Sequence, residues 1–379
     1  MKPSKPNNLC FSSGPCSKRP NWTGDVFNNI QLGRSHRAPE SLKKIQDLIA
    51  RSKKLLQIPD DYLVGIVAGS DTGAFELAIW NFLGKVGVDV MYQEHFGKIW
   101  HTDIVSQLNL TDVHTIHAKY GEVPNYKEIS PERDLVFTLN GTTSGVCFHN
   151  LDFISDDRTG LTLCDATSIV YSIPIDFSKL DITTYSWQKS LGGEAQHGVL
   201  ILSPRAVQRL KEYTPPWPLP KIFQISQKGD IIPSIFEGST INTPSMMCVY
   251  DCLDSIIWAE SIGGREALFQ RVQKNFTAVN DFINSNSWIE NLCSNKKFQS
   301  PTSVCLRICT PEFDSKTEGE QRLFIKKIAE YIANDHAGFD FVNHKKAPPS
   351  FRIWCGPTIE STDVKALCNW ISYAYHSIV

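Results

Sequence analysis

The sequence predicts an α/β protein: a large domain on a mostly parallel central sheet, followed by a smaller C-terminal α+β domain. Three observations predict it. Between residues 62 and 202, strand-sized apolar runs recur between amphipathic helical stretches, the order of βαβ units. Those runs mostly lack polar alternation, as strands covered on both faces do. Beyond residue 263 the pattern changes to helix, strand, helix, strand, helix. A chain of 379 residues has the length for both domains.

The first 35 residues are rich in Pro, Asn, Ser and Gly and read as an extended N-terminal arm. Residues 36–262 form the predicted large domain. In it Leu42, Ile45, Ile49 and Leu56 recur near a helical period. A strand over Tyr62 to Ala68 leads into Gly69-Ser70-Asp71-Thr72-Gly73. Phe75, Ile79, Phe82 and Leu83 then mark an amphipathic helix, and 86–92 the next strand. Further buried strands are expected at 135–139, 161–164, 182–185 and 199–202. Residues 204–245 are Pro-rich, irregular and too long for an ordinary connection, so they are expected at a subunit interface. A helix from Met246 toward Ile262 stops at Gly263-Gly264. The small domain, 263–379, places strands at 303–308 and 351–354 and helices at 318–334 and 362–373.

Several function classes are excluded. Thirty-eight basic and 40 acidic residues give a net charge of −2, so nothing grips nucleic acid or anionic lipid by bulk charge. No apolar run reaches the ~18 residues of a membrane span. The N-terminus has no apolar core of a secretory signal, so a cytoplasmic protein is expected. Eleven scattered cysteines, with no CxxC pair, read as free thiols in a reducing compartment, and no metal is expected. No GxxxxGK or GxGxxG loop is present.

Chemistry-bearing residues gather at the predicted strand ends, where ligands of open α/β sheets bind. Lys189 follows one strand and precedes Gly192-Gly193. A lysine confined between apolar strand ends loses hydration, which frees its amine for Schiff-base chemistry. Asp165 ends another strand, where a buried carboxylate needs a partner such as a pyridinium N–H. Ser70 and Thr72 lie between a strand and a helix start, a place that holds phosphate. Asp71 between them opposes an anion, so it is expected to point away or to cap the helix. Asn140 and Thr142 follow a third strand, and Phe96, after a fourth, suits stacking on a ring. Each pattern alone is more often a turn, a cap or a core aromatic. Their succession along one chain points to a single cofactor, pyridoxal phosphate.

With these residues the chain resembles class V of the fold type I pyridoxal-phosphate aminotransferases, and within it the phosphoserine aminotransferase family. The likeness spans nearly the whole chain. It rests on Phe11-Ser12-Ser13-Gly14-Pro15, Ser35-His36-Arg37, Asn140-Gly141-Thr142, Cys164-Asp165-Ala166-Thr167-Ser168, Trp187-Gln188-Lys189, Asn242-Thr243-Pro244-Ser245 and Phe351-Arg352-Ile353. The resemblance implies that Lys189 carries the Schiff base and that Asp165 pairs with the pyridine nitrogen. It puts Phe96 on the ring, Thr142 against the cofactor, and Ser70, Thr72 and Gln188 on its phosphate. Asn242 and Thr243 would join that phosphate from a second subunit of a homodimer. Arg352 would bind the substrate carboxylate, and His36 and Arg37 of the neighbouring subunit the substrate phosphate. The implied reaction moves an amino group from L-glutamate to 3-phosphohydroxypyruvate, for serine biosynthesis. 4-Phosphohydroxy-L-threonine, of vitamin B6 synthesis, would suit the same pocket. Two positions depart from the pattern. Ser70-Asp71-Thr72 lacks the arginine that many relatives carry in this loop, and the small-domain histidine of the family matches His344, beside Lys345 and Lys346. An alanine–glyoxylate aminotransferase would share Lys189 and Asp165 without needing a pocket for a distal anion, and a non-catalytic relative would need neither.

Overall fold

The computed structural model describes residues 1–28, 30 and 32–379. The large domain carries β1 (Leu63–Ala68), β2 (Val88–Tyr92), β3 (Val113–His117), β4 (Asp134–Thr138), a short hairpin of β5 (Asn140–Gly141) and β6 (Val146–Cys147), then β7 (Thr162–Asp165), β8 (Ile182–Ser186) and β9 (His197–Leu202). Seven of these form one sheet, in the order β1-β9-β8-β7-β4-β2-β3. Neighbours pair in parallel except at β9, which runs antiparallel to both β1 and β8. The carboxyl ends of β1, β2, β4, β7 and β8 therefore share one edge of the sheet.

Strand side chains alternate between two apolar layers, so the expected absence of polar alternation has a direct cause. Val67, Val90, Val136, Leu163 and Leu200 face a core shared with α2 (Ser70–Phe82) through Phe75, Ile79 and Phe82. Ile66, Met91, Phe137, Cys164, Tyr185 and Ile201 face a second core with α1 (Pro39–Leu56). Full burial of each such side chain contributes about 1.5–3 kcal/mol. In α1 the buried stripe is Ile45, Leu48, Leu55 and Leu56, while Leu42 and Ile49 are only half-buried. That stripe is turned by about one position from the predicted one.

Several elements differ from the sequence reading. The edge strand β3 and α3 (His95–Thr102) are additional. Part of the segment read as irregular is a helix, α4 (Pro204–Glu212), because Ser203 accepts from the Ala206 N–H and Pro204 supplies a helical φ at the first position. Arg209 of α4 forms a buried two-pronged pair with Asp134, at 2.9 Å on each arm. The segment continues through the hairpin of β10 (Ser226–Gln227) and β11 (Asp230–Ile231) and the single turn α5 (Pro233–Phe236) to α6 (Met246–Ser261).

The rest of the chain adds α7 (Gly264–Asn284), β12 (Ile289–Asn291), β13 (Ser303–Ile308), α8 (Pro311–Asp314), α9 (Glu318–Asn334), β14 (Phe351–Trp354) and α10 (Ser361–Ile378). Strands β12, β13 and β14 form an antiparallel sheet in that order. Phe11 and Cys16 belong to this small-domain core. The Phe11 N–H donates to the Phe339 carbonyl at 3.1 Å, and the Cys16 N–H to the Gln188 carbonyl at 2.8 Å. The start of the chain thus runs along the small domain and crosses beneath the end of β8. Among the described residues no helix is long and apolar enough to cross a membrane.

Candidate active site

The shared sheet edge opens into a cavity of about 190 Å³. It is lined from the strand ends: Ser70, Asp71 and Thr72 after β1, Glu94, Phe96 and Trp100 after β2, Thr138, Asn140 and Thr142 from β4 onward. Asp165, Thr167 and Ser168 follow from β7, and Gln188 and Lys189 from β8.

Lys189 sits in the cavity wall, its Nζ donating to the Ser13 carbonyl of the crossing segment. Burial lowers its pKa, and the charge of Arg352 lowers it further. Cys16, Asp165 and Asp71 act in the opposite direction. An amine in such surroundings is readily deprotonated and nucleophilic. Asp165 is fixed by two donors: Trp100 Nε1 to Oδ2 at 3.2 Å and the Thr167 N–H to Oδ1 at 3.0 Å. Its carboxylate is therefore oriented before any ligand arrives.

Ser70 and Thr72 begin α2, a helix of 13 residues with no side-chain cap; the Ser70 N–H donates to the Gln196 carbonyl at 3.3 Å, and the rest of the first turn and the helix dipole face an anion's place. Gly69 and Ser70 both have left-handed backbone, φ 83° and 53°. Asp71 points inward rather than away. It is buried and lines the cavity with Asp165 and Thr167, and burial first, then the charge of Asp165, raises its pKa well above the usual carboxylate value.

Phe96 stands at one wall, with its ring 6.1 Å from His344, which in turn stacks on His95 at 4.7 Å. Burial, and then neighbouring cations including Lys345 and Lys346, lower the pKa of both histidines. The mouth beside Phe96 is therefore basic. The Thr142 hydroxyl shares a 2.8 Å hydrogen bond with Ser303 of β13, tying the cavity to the small domain. Arg352 on β14 has a buried Nε without a hydrogen-bond partner. Burial lowers its pKa, and Glu94, Cys305 and Cys16 oppose that shift. A buried guanidinium with an unused N–H is a binding site for an anion.

The structure thus brings Ser70, Thr72, Phe96, Thr142, Asp165, Gln188 and Lys189 into one cavity. Arg352 is close enough for its charge to act on Lys189. Asn242, Thr243, His36 and Arg37 do not line this cavity. Asn242 bonds within its own loop, Thr243 and Arg37 are exposed, and His36 is half-buried. Sequence reasoning missed Glu94 and Trp100. Both have a signal: Glu94 follows a strand end, and Trp100 stands four residues beyond Phe96 on the same helical face.

The donor set fits pyridoxal phosphate. A strand-end carboxylate suits a ring N–H, and a lysine amine suits an aldehyde. A helix start with two hydroxyls suits a phosphate, and Phe96 suits the ring face. Gln188 Oε1 and the Thr138 and Thr167 hydroxyls are buried there without partners, which a polar ligand would satisfy. Among the described residues no group of His, Cys, Asp and Glu is arranged to hold a metal ion.

No family model matches the chain. The phosphoserine aminotransferase of Methanosarcina mazei is 48% identical over 376 residues, covering 99% of each chain. That of Methanosarcina barkeri is 47% identical over 379 residues, covering 100% of each. Among solved structures, a phosphoserine aminotransferase from Cytophaga hutchinsonii superposes with a TM-score of 0.79 at 20% identity, over 97% of this chain and 99% of its own. An aspartate aminotransferase from Thermus thermophilus reaches the same TM-score, 0.79, at 16% identity, over 98% and 100%. At such identities the structures share a fold, and that fold carries aminotransferases named for different amino acids. The full-length identity to the two archaeal enzymes is what decides: the chain belongs to the phosphoserine aminotransferase family.

Proposed function

We propose that the chain transfers an amino group from L-glutamate to 3-phosphohydroxypyruvate, giving O-phospho-L-serine and 2-oxoglutarate, with pyridoxal phosphate held in the strand-end cavity. The observation that carries this is the convergence of Lys189 and Asp165 on one cavity beside the unpaired guanidinium of Arg352. Bound pyridoxal phosphate supplies the electron sink that acidifies the substrate Cα–H. The protein does the rest. Asp165, held by Trp100 and Thr167, keeps the ring nitrogen protonated. The first turn of α2, with Ser70 and Thr72, anchors the phosphate, and Gln188 adds to it. Phe96 and Thr142 bound the ring. Lys189 Nζ, its pKa lowered by burial, would take the proton from substrate Cα and hand it to the cofactor carbon that bears the aldehyde. Arg352 grips the substrate carboxylate through its planar fork.

The substrate's distal anion needs cations that Ser70-Asp71-Thr72 lacks. His344, Lys345 and Lys346 lie at the mouth of this subunit's own cavity. His36 and Arg37 lie away from it, as do Asn242 and Thr243. We read these four as belonging to the neighbouring site of a homodimer. Eleven free thiols fit a cytoplasmic enzyme.

The test is a substrate comparison on purified holoenzyme. With glutamate as donor, kcat/KM for 3-phosphohydroxypyruvate is expected to exceed that for glyoxylate by about a hundredfold or more, because charged groups built to meet a distal anion are left unpaired by an acceptor without one. A preference for glyoxylate would overturn the assignment.

A further inference from the structure

Asp251 is an acid in a place that suits an apolar side chain. It lies on α6 beside Val249, Cys252 and Ile256, and only 1% of it is exposed. A carboxylate buried so deeply needs partners. One of its oxygens, Oδ2, has two: Lys18 Nζ of the N-terminal arm at 2.7 Å and the Glu194 N–H at 3.0 Å. Those partners belong to the two segments that meet at Lys189. The arm faces the lysine amine with the Ser13 carbonyl, bonds the Gln188 carbonyl through the Cys16 N–H at 2.8 Å, and reaches Asp251 through Lys18. The chain that carries Lys189 turns back through Gly192 and Gly193, where the Gly193 N–H donates to the Trp187 carbonyl at 2.9 Å, and reaches Asp251 through Glu194. The two segments touch, since a Cβ at Gly192 would run into the Ser17 carbonyl. One turn along α6, Asp254 takes both prongs of Arg19, at 2.7 and 2.9 Å, which holds the arm in register. Asp251 does not line the cavity, so any effect it has on the chemistry passes through these contacts.

We propose that Asp251 is a positioning residue for Lys189. By holding Lys18 and the Glu194 N–H on one oxygen it fixes the arm against the lysine turn, and so fixes where Nζ stands relative to the cofactor aldehyde. Lys18 is the arm's half of this clamp. Its second contact, Glu194 Oε1 at 2.8 Å, is to an exposed side chain and contributes little. The role rests on the pyridoxal-phosphate reading of the cavity.

The test uses the full chain, stripped of cofactor and then mixed with pyridoxal phosphate. Asp251→Asn, Lys18→Met and the double variant stand beside wild type. Asp251→Asn still accepts from the Glu194 N–H but loses the ion pair, and Lys18→Met loses the same pair from the arm side. In each, the rate at which the visible cofactor band appears is expected to fall about tenfold, because Nζ leaves its attacking position. In the holoenzyme kcat is expected to fall by a similar factor, with KM for both substrates within about threefold of wild type, since Arg352 and the basic mouth are untouched. The double variant is expected to be no slower than the slower single one, because both changes cut one link. Lys18→Met carries the test alone should Asp251→Asn lose its circular-dichroism signature. Unchanged band formation and kcat beside a lowered melting temperature mark a merely structural role and overturn the proposal. So do losses that multiply in the double variant, which mean that the two residues act separately. A wild type that forms no band with pyridoxal phosphate sinks the functional reading instead, so the two failures are distinct.

Discussion

Glu94 illustrates how burial sets a charge state inside this cavity. It is 3% exposed, and burial pushes its carboxyl up to about 7. The Gly97 N–H and the Thr143 hydroxyl, at 2.9 and 2.8 Å, pull the other way, and the charge of Asp165 pushes further up. The folded protein thus keeps a proton that the unfolded chain releases at lower pH. Stability from this group is fully present below its unfolded value of 4.5 and is lost as pH rises toward 7, by on the order of 3 kcal/mol. Asp71 adds a slope of the same sign, while His197, lowered to about 4 by burial, adds the opposite slope. The informative quantity is therefore a difference. In cofactor-free protein, the melting temperature of Glu94→Gln relative to wild type is expected to rise steadily from pH 5 to pH 7.5. A gap that stays constant over that range would refute the shift. Lys189 and Asp165 were legible in the sequence because a strand end tells which way a side chain faces. Glu94 and Asp71 were harder to read, since an acid at a helix start reads as a cap, and Glu94 does cap α3 while also lining the cavity. Asp71 follows the left-handed backbone at Ser70, and Glu94 accepts from Thr143, which another segment supplies.

At the scale of elements, strands and their order were legible because both faces of the sheet are buried and the runs are apolar throughout. α4 was hidden by its own start signal, since Ser203-Pro204 sits in a Pro-rich tract that reads as irregular. The opening segment was half legible: its motif was visible, but its path was set by distant partners, Phe339 and Gln188. That path places Gly14 against Lys189. Gly14 has φ +137°, and a Cβ there would lie 2.5 Å from Lys189 Nζ and 2.8 Å from its Cε. Gly14→Ala is therefore expected to push the amine out of line. A displacement of this size costs about a hundredfold in kcat. The clash is with the free end of a side chain, but Ala at φ +137° also strains the backbone, so some loss of stability is expected beside the loss of kcat. Steady-state kinetics beside circular dichroism decide it. Unchanged kcat with a native spectrum would mean that Lys189 does not need the position it has here.

At the scale of the molecule, the near-neutral net charge says nothing of the site, because the cations are few and placed. Arg352 and His344 come from the small domain of the same chain, whereas His36 and Arg37 sit outside its cavity. If they serve a neighbouring site, each active centre of a two-fold dimer holds Lys189 from one chain and Arg37 from the other. That geometry has a strict consequence for mixed dimers. Arg37→Ala and Lys189→Ala are each expected to lose most activity on 3-phosphohydroxypyruvate alone. Dissociated, mixed and reassociated, they form heterodimers in which one site carries both defects and the other carries none. Random pairing makes half the dimers mixed and leaves one intact site in each, so activity is expected to recover to about a quarter of wild type. Were Arg37 to act within its own chain, every site would carry one defect and mixing would restore nothing. A melting profile for each variant shows that the pieces being mixed are folded. Size-exclusion mass measurement shows that they are dimers. The recovered rate then separates a shared site from a self-contained one.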